Sequence, residues 1–207
     1  LAAPLDGEAY TPFGQLDYQP EISRIRAAKP GAVFVFYPGG MGIQFVKQSA
    51  QSGLKDEIPF YSTNAIDEVN LPVLKDAAVG DYTSLYWGES VDVPRNHVYL
   101  DAFRKRYHYT PNSLGAGSFD AIFLIDSAVK AVHGNLADKP ALIAAMEKAD
   151  FQSVRGPFAF NTNHHPIENF YLFRAVKTAE GYGMKTEATI FTAHKDHYYQ
   201  DCHMAKP

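Results

Sequence analysis

The sequence predicts an α/β fold in which parallel strands are flanked by helices and the chain passes between two lobes. Three observations carry this. The N-terminal part alternates short runs of β-forming residues with amphipathic helical stretches across short links, the rhythm of a parallel sheet with helices on its faces. Its clearest strand, Ala32–Tyr37, is apolar at every position, as a strand covered on both sides is. From Pro94 onward the rhythm changes to three successive helical patterns and then three strand-like runs, which one continuously wound domain does not explain.

Gly7–Tyr10 reads as a short strand that runs into the loop Thr11–Gln15. Asp17 can cap a helix over Tyr18–Lys29, with Pro20 tolerated in the first turn and Tyr18, Ile22 and Ile25 on one face. Pro30-Gly31 ends it. After the strand Ala32–Tyr37, the loop Pro38–Gly42 leads into a helix over Ile43–Ser52 that stops at Gly53. Ile58–Ser62 and Tyr82–Trp87 read as strands, with a brief helix over Glu68–Leu74 between them. Pro94–Tyr107 is an amphipathic helix with Leu100, Phe103 and Tyr107 inward. Ser118–His133 is so apolar that it is expected to be nearly buried. Asp138 caps Lys139–Ala149, with Leu142, Ala145 and Met146 on the inner side. Pro157–Phe160, Phe170–Lys177 and Thr186–Thr192 are the closing strands, and Asn161–Pro166 joins the first two.

Composition narrows the function. Hydrophobic residues make up 46% and charged ones 20% of 207 residues, so a packed core is expected and a disordered chain is not. A net charge of −4 gives no electrostatic footprint for nucleic acid. No apolar run approaches the roughly 20 residues that span a bilayer. Aromatics reach 14%, which serves core packing and also suits a pocket for a flat ligand. Leu1–Leu5 lacks the basic start and apolar stretch of a signal peptide, so either a signal has been removed or the chain begins in mid-protein. The single cysteine, Cys202, has no partner within the sequence.

Few motifs carry chemistry. The glycines of Pro38–Gly42 lie between a buried strand and a helix, where the backbone can approach a ligand and helix-start N–H groups favour an anion. The same loop equally suits a tight turn that needs positive φ. Neither the dinucleotide-binding glycine spacing nor a Gly-Lys-Ser/Thr sequence is present, so a carboxylate fits better than a nucleotide. His194, His197, Cys202 and His203 do not reproduce structural-zinc spacings and sit near the end of the chain. Ser118 follows Gly117 but has no local base, and Asp67 and Glu68 are explained by helix-start electrostatics. No catalytic residue, cofactor or metal is therefore expected.

The residues do resemble a known family. Tyr10–Pro20 followed by Ile25–Phe34 is similar to the second lobe of leucine/isoleucine/valine-binding-type extracellular receptors. Gly53-Leu-Lys55, Ser118-Phe-Asp-Ala121 at the opening of a long helix, and Phe151–Phe158 agree in the same order, so the resemblance covers nearly the whole chain. It implies a type I periplasmic-binding-protein-like fold of two lobes. Residues 1–84 are then a partial second lobe that faces the ligand cleft. Residues 85–150 are a return into an incomplete first lobe, and 151–207 the final crossing back, with the C-terminal strands and tail.

The same resemblance implies an exported, periplasmic receptor. It would bind a small molecule between its lobes through a population shift on closure, and deliver it to a membrane ABC permease. It further implies that the first lobe lies in a missing N-terminal part of the same protein, without which this chain does not bind tightly. The implied ligand-binding residues are Tyr37, Gly39, Gly40 and Met41, together with Phe13, and Asn64 from a second cleft-facing loop, Ser62–Asn64. Leu114 and Ala116 come from the first lobe's contribution. Amino-acid binders of the family place an acidic residue near position 64, opposite the ligand's ammonium. Asn64 cannot neutralise that charge, so an aromatic carboxylate is expected over an amino acid. A branched-chain amino acid or amide, and a ligand-sensing domain of a regulator or receptor, are the alternatives.

Overall fold

The structure is a computed structural model that describes residues 5–204. In chain order the first elements are α1 (Gln19–Ala28), β1 (Val33–Val35), α2 (Gly40–Gln51), α3 (Leu54–Glu57), β2 (Phe60–Ser62), α4 (Leu71–Leu74) and β3 (Tyr82–Leu85). There follow α5 (Pro94–Tyr107), α6 (Ser113–Ala131), α7 (Lys139–Glu147), β4 (Ala159–Phe160), β5 (Pro166–Thr178) and β6 (Gly181–His194). They form two compact units, one of Leu1–Leu85 with Leu172–Glu187 and one of Tyr86–Tyr171 with Ala188–Pro207.

In the first unit β1, β2 and β3 run parallel in that order, with Val33 opposite Phe60, Phe34 opposite Tyr61, and Tyr61 opposite Tyr82. Alternation along β1 turns Val33 and Val35 to the core. There they meet Tyr18 and Ile22 at α1, Phe45 on α2, Leu54 on α3, and Phe60. α1 forms where expected: the Asp17 carboxylate accepts the N–H of Gln19 at 3.0 Å, and Lys29 ends the helix in the left-handed region at φ 50°. The opposite sheet face carries Phe34, which is 68% exposed, and the rings of Tyr61 and Tyr82 stacked at 5.1 Å.

Several expectations are corrected here. Among the described residues Gly7–Tyr10 pairs with no strand, so a β-forming composition without a neighbour gives no ladder. The helix over Glu68–Leu74 begins only at Leu71, because the Asp67 carboxylate accepts the N–H groups of Val69 and Asn70 in a tight turn. α3, which follows Gly53 at φ 76°, was not anticipated.

The second unit packs α5 and α6 around Trp87, Tyr99, Leu100, Ala116 and Val154. Asn96 is fully buried; it accepts the indole N–H of Trp87 at 2.8 Å and donates to the carbonyls of Gly88 and Val91. α6 starts at Ser113 rather than Ser118, because Asn112 caps it by accepting the N–H of Gly115. It is not nearly buried: Ile122 is 65% and Ile125 50% exposed. Tyr107 is likewise exposed rather than inward, its ring lying against Phe103 and Tyr109. Asp138 caps α7 as expected, by accepting the N–H of Ala141.

A buried ionic knot binds this unit together. The Arg155 guanidinium donates to Asp120 on α6 and to Glu168 on β5, both at 2.8 Å. Asp120 also accepts the Ser153 hydroxyl at 2.6 Å and the N–H of Val154. Burial pushes the Glu168 carboxyl above the usual carboxylate range, against the pull of Arg155. β5 and β6 are far longer than the strands read from the sequence, at 13 and 14 residues, and β4 pairs antiparallel with the start of β5.

Candidate functional site

The Gly-rich loop leaves β1 at its C-terminal end, and the loop Ser62–Ala65 leaves the neighbouring parallel strand β2 at the same edge. This is the edge at which open parallel sheets present ligands. Tyr37 begins the first loop with its ring built into the core margin, 4.9 Å from Tyr18 and 5.4 Å from Phe45. Its hydroxyl accepts a hydrogen bond from Thr11 at 3.3 Å. Burial, with Tyr37 and Glu21 nearby, pushes the neighbouring Tyr18 hydroxyl up to about 12, so it stays protonated.

Gly39 adopts φ 63° and ψ −131°, a conformation open to glycine and strained for other residues. It lets the chain turn sharply into α2, where the Ile43 N–H closes the first helical bond on the Gly39 carbonyl at 3.2 Å. The N–H groups of Gly40, Met41 and Gly42 therefore have no carbonyl partner within the helix. No acidic side chain lies in this first turn and no side chain caps it. A Cβ on Gly40 would meet nothing within 4 Å, so Gly40 is open to an approaching group.

Gly42 is the residue whose role the sequence did not reveal. A Cβ there would lie 2.2 Å from the Tyr37 carbonyl oxygen and 2.9 Å from the Ala65 Cα, so this glycine holds the two loops together. In the second loop the Thr63 N–H donates to the Val35 carbonyl and its hydroxyl to that of Ser84, which ties the loop to both flanking strands. Asn64 then turns outward at φ 58°, exposed. Phe13 is 97% exposed in a turn that reaches Met41, whose sulfur accepts the Gly14 N–H at 3.4 Å. The structure thus brings Phe13, Tyr37, Gly39, Gly40, Met41 and Asn64 to one end of the first unit.

Leu114 and Ala116 belong to the second unit, in the first turns of α6. Leu114 is exposed, whereas Ala116 is fully buried against the core and its N–H is spent on the Asn112 carbonyl. Among the described residues no three His, Cys, Asp or Glu side chains are grouped to hold a metal. His194 lies instead against the rings of Phe170 and Phe191.

Parallel strands with helices between them, and two loops meeting at the strand ends, define a binding-protein architecture of the type I periplasmic kind. The chain belongs to the periplasmic binding protein family, whose sequence pattern matches residues 4–180. It is 27% identical over 192 residues to "Leu/Ile/Val-binding protein homolog 6" of Brucella melitensis, a match over 89% of this chain and 49% of that one. It also superposes on an ABC transporter substrate-binding protein from Sphaerobacter thermophilus, with a TM-score of 0.82, 27% identity, and coverage of 87% of this chain and 50% of that one. A third relative is an ABC-transporter solute-binding protein from Rhodopseudomonas palustris in complex with 3,4-dihydroxybenzoic acid. There the TM-score is 0.79 and the identity 32%, over 87% of this chain and 50% of that one. The chain thus spans about half the length of the relatives it matches.

Proposed function

We propose that this chain is part of a periplasmic receptor that captures a small aromatic carboxylate for an ABC permease and catalyses no reaction. One observation carries the reading: the first turn of α2 offers backbone N–H groups at an open glycine, with no acidic or capping side chain to occupy them. A carboxylate gains charge-assisted hydrogen bonds there, and the ring gains apolar burial at about 25 cal/mol per Å². The benzoic-acid derivative bound by the Rhodopseudomonas relative supports the ligand class. Leu114, Ile122 and Ile125 are exposed on α6, which supports the further reading that the remaining half of the family length, supplied by the same protein, covers them and completes the site.

The name of the Brucella relative favours a second reading, a branched-chain amino acid as ligand. The test is a thermal-shift titration of the complete protein with benzoates and with leucine, repeated on Gly40→Val. The variant keeps the fold, because no atom opposes its Cβ, and it binds the acid at least roughly tenfold more weakly, about 1.4 kcal/mol. Unchanged acid affinity in that variant removes α2 from the site, and a preference for leucine replaces the ligand class.

A further inference from the structure

A single exposed aromatic ring is ordinary on a protein surface. Phe13 differs in how firmly the backbone beneath it is held. It occupies the second position of the turn Pro12–Gln15, which the Gln15 N–H closes on the Pro12 carbonyl at 3.2 Å. Gly14 follows at φ 85°, the left-handed conformation that glycine supplies at the third place of such a turn.

The turn is fastened before, within and after the ring. The Thr11 hydroxyl donates to that of Tyr37 at 3.3 Å, and the Gly14 N–H meets the Met41 sulfur at 3.4 Å. Beyond the ring, the fully buried Tyr18 donates its hydroxyl to the Gln15 carbonyl at 3.0 Å. The Gln15 side-chain amide donates in turn to the Asp17 carbonyl at 2.7 Å and to Glu21 at 3.0 Å.

The last fastening comes from Gln48, in the third turn of α2. Its amide oxygen accepts the Tyr18 N–H at 2.8 Å, and its amide nitrogen donates to the Leu16 carbonyl at 2.7 Å. One side chain thus holds the backbone groups on either side of Asp17, as a neighbouring strand would. The same helix begins with the open N–H groups of Gly40 and Met41, and Met41 is the residue that the turn touches. Phe13 is therefore carried beside the proposed carboxylate position by a segment anchored on the helix that offers it. A ring set in place before binding spares the ligand complex the cost of ordering it.

We propose that Pro12–Gln15 is a pre-set aromatic arm whose Phe13 lies against the ring of an acid held at the start of α2, and that Gln48 is the positioning residue that fixes the arm. The proposal rests on the aromatic-acid reading above and adds where selectivity for a ring arises. Two rings in contact gain offset or edge-to-face attraction in addition to apolar burial, which an aliphatic side chain such as that of leucine does not offer. Gln48 acts only through the turn.

Titration calorimetry of the complete protein with benzoate tests this. Phe13→Ala removes almost no packing, since the residue is 97% exposed, and should weaken benzoate by about tenfold. Gln48→Met has a similar reach without the two hydrogen bonds and should weaken it by about fivefold. Once Phe13 is replaced, adding Gln48→Met should cost nothing further. A purely structural Gln48 makes the two losses multiply instead, and that outcome overturns the proposal. So does unchanged affinity in Phe13→Ala, which decides alone if Gln48→Met does not fold. Amide hydrogen exchange on the 207-residue chain reads the arm without ligand. The Gln15 and Tyr18 amides should be protected, and Gln48→Met should release both by about tenfold or more while the Thr63 amide, bonded to Val35, keeps its protection. Free exchange at Gln15 and Tyr18 in the unmodified chain overturns the pre-set arm. If the unmodified complete protein binds no benzoate, the aromatic-acid reading fails and takes the role of Phe13 with it, whereas benzoate binding that ignores Phe13 sinks the arm alone.

Discussion

A Cβ on Gly42 would sit 2.2 Å from the carbonyl oxygen of Tyr37, closer than non-bonded atoms approach one another. The obstacle is backbone, and the Ala65 Cα at 2.9 Å is a second one. Gly42→Ala must therefore force the loops that follow β1 and β2 apart. We expect a loss of about 1–3 kcal/mol in urea denaturation, the range for overpacking a core, together with weakened ligand binding in the complete protein. Gly40→Ala, two residues earlier and in open space, should leave stability within about 0.5 kcal/mol. Equal stabilities for the two variants would show that the loops do not depend on this contact.

Arg155 supplies one positive charge to two buried carboxylates. Its removal in Arg155→Met leaves Asp120 with the Ser153 and Val154 donors, and leaves Glu168 without its guanidinium. Breaking a buried pair in this way costs about 3–5 kcal/mol, because uncompensated charge stays inside. The loss should be smaller at low pH. Burial already raises the Glu168 pKa, and without Arg155 the group takes up a proton more readily still. Denaturation curves at pH 5 and pH 8 check this, with the larger difference from the unmodified chain expected at pH 8.

The apolar stripe of α6 shows how far the sequence could be read. Its composition announced a helix, and the helix is there; burial depends on what lies opposite, and Ile122 and Ile125 face solvent. Gly7–Tyr10 fails as a strand for the same reason, since a strand needs a neighbour that local sequence does not specify. Where partners are local or capping residues are explicit, the reading held: α1, α5 and α7 lie within a few residues of their expected bounds. In the candidate site, the glycines of Pro38–Gly42 mark the loop that joins β1 to α2, as the sequence reading placed it. Sequence could not tell which glycine touches backbone and which is open, because that depends on Ala65, 23 positions after Gly42.

Those exposed isoleucines also make a prediction about the isolated chain. Two large apolar side chains one helical turn apart favour association when nothing covers them. Sedimentation of the 207-residue chain at tens of micromolar should show species larger than a monomer. Ile122→Lys combined with Ile125→Glu should shift the distribution to monomer with the helical circular dichroism unchanged. A monomeric unmodified chain would mean that this face needs no cover.

Asn64 offers the sharpest test of ligand class. Its positive φ of 58° points to a turn residue for which Asn and Asp are the favoured side chains after glycine, so Asn64→Asp is structurally mild. Chemically the change is large. A carboxylate at this position repels an anionic ligand held near α2 and attracts an ammonium. For an aromatic acid, the complete protein should lose roughly tenfold or more in affinity on this substitution, equivalent to about 1.4 kcal/mol. Raising the salt concentration should shrink that loss, since partly exposed charges are screened over about 10 Å at 0.1 M. An uncharged aromatic amide should bind the two forms alike, and leucine should gain rather than lose. Titration calorimetry with benzoate, benzamide and leucine separates the readings. If Asn64→Asp leaves benzoate affinity unchanged, position 64 does not face the ligand. If the unmodified protein already prefers leucine, the ammonium has a partner elsewhere and the aromatic-acid reading falls.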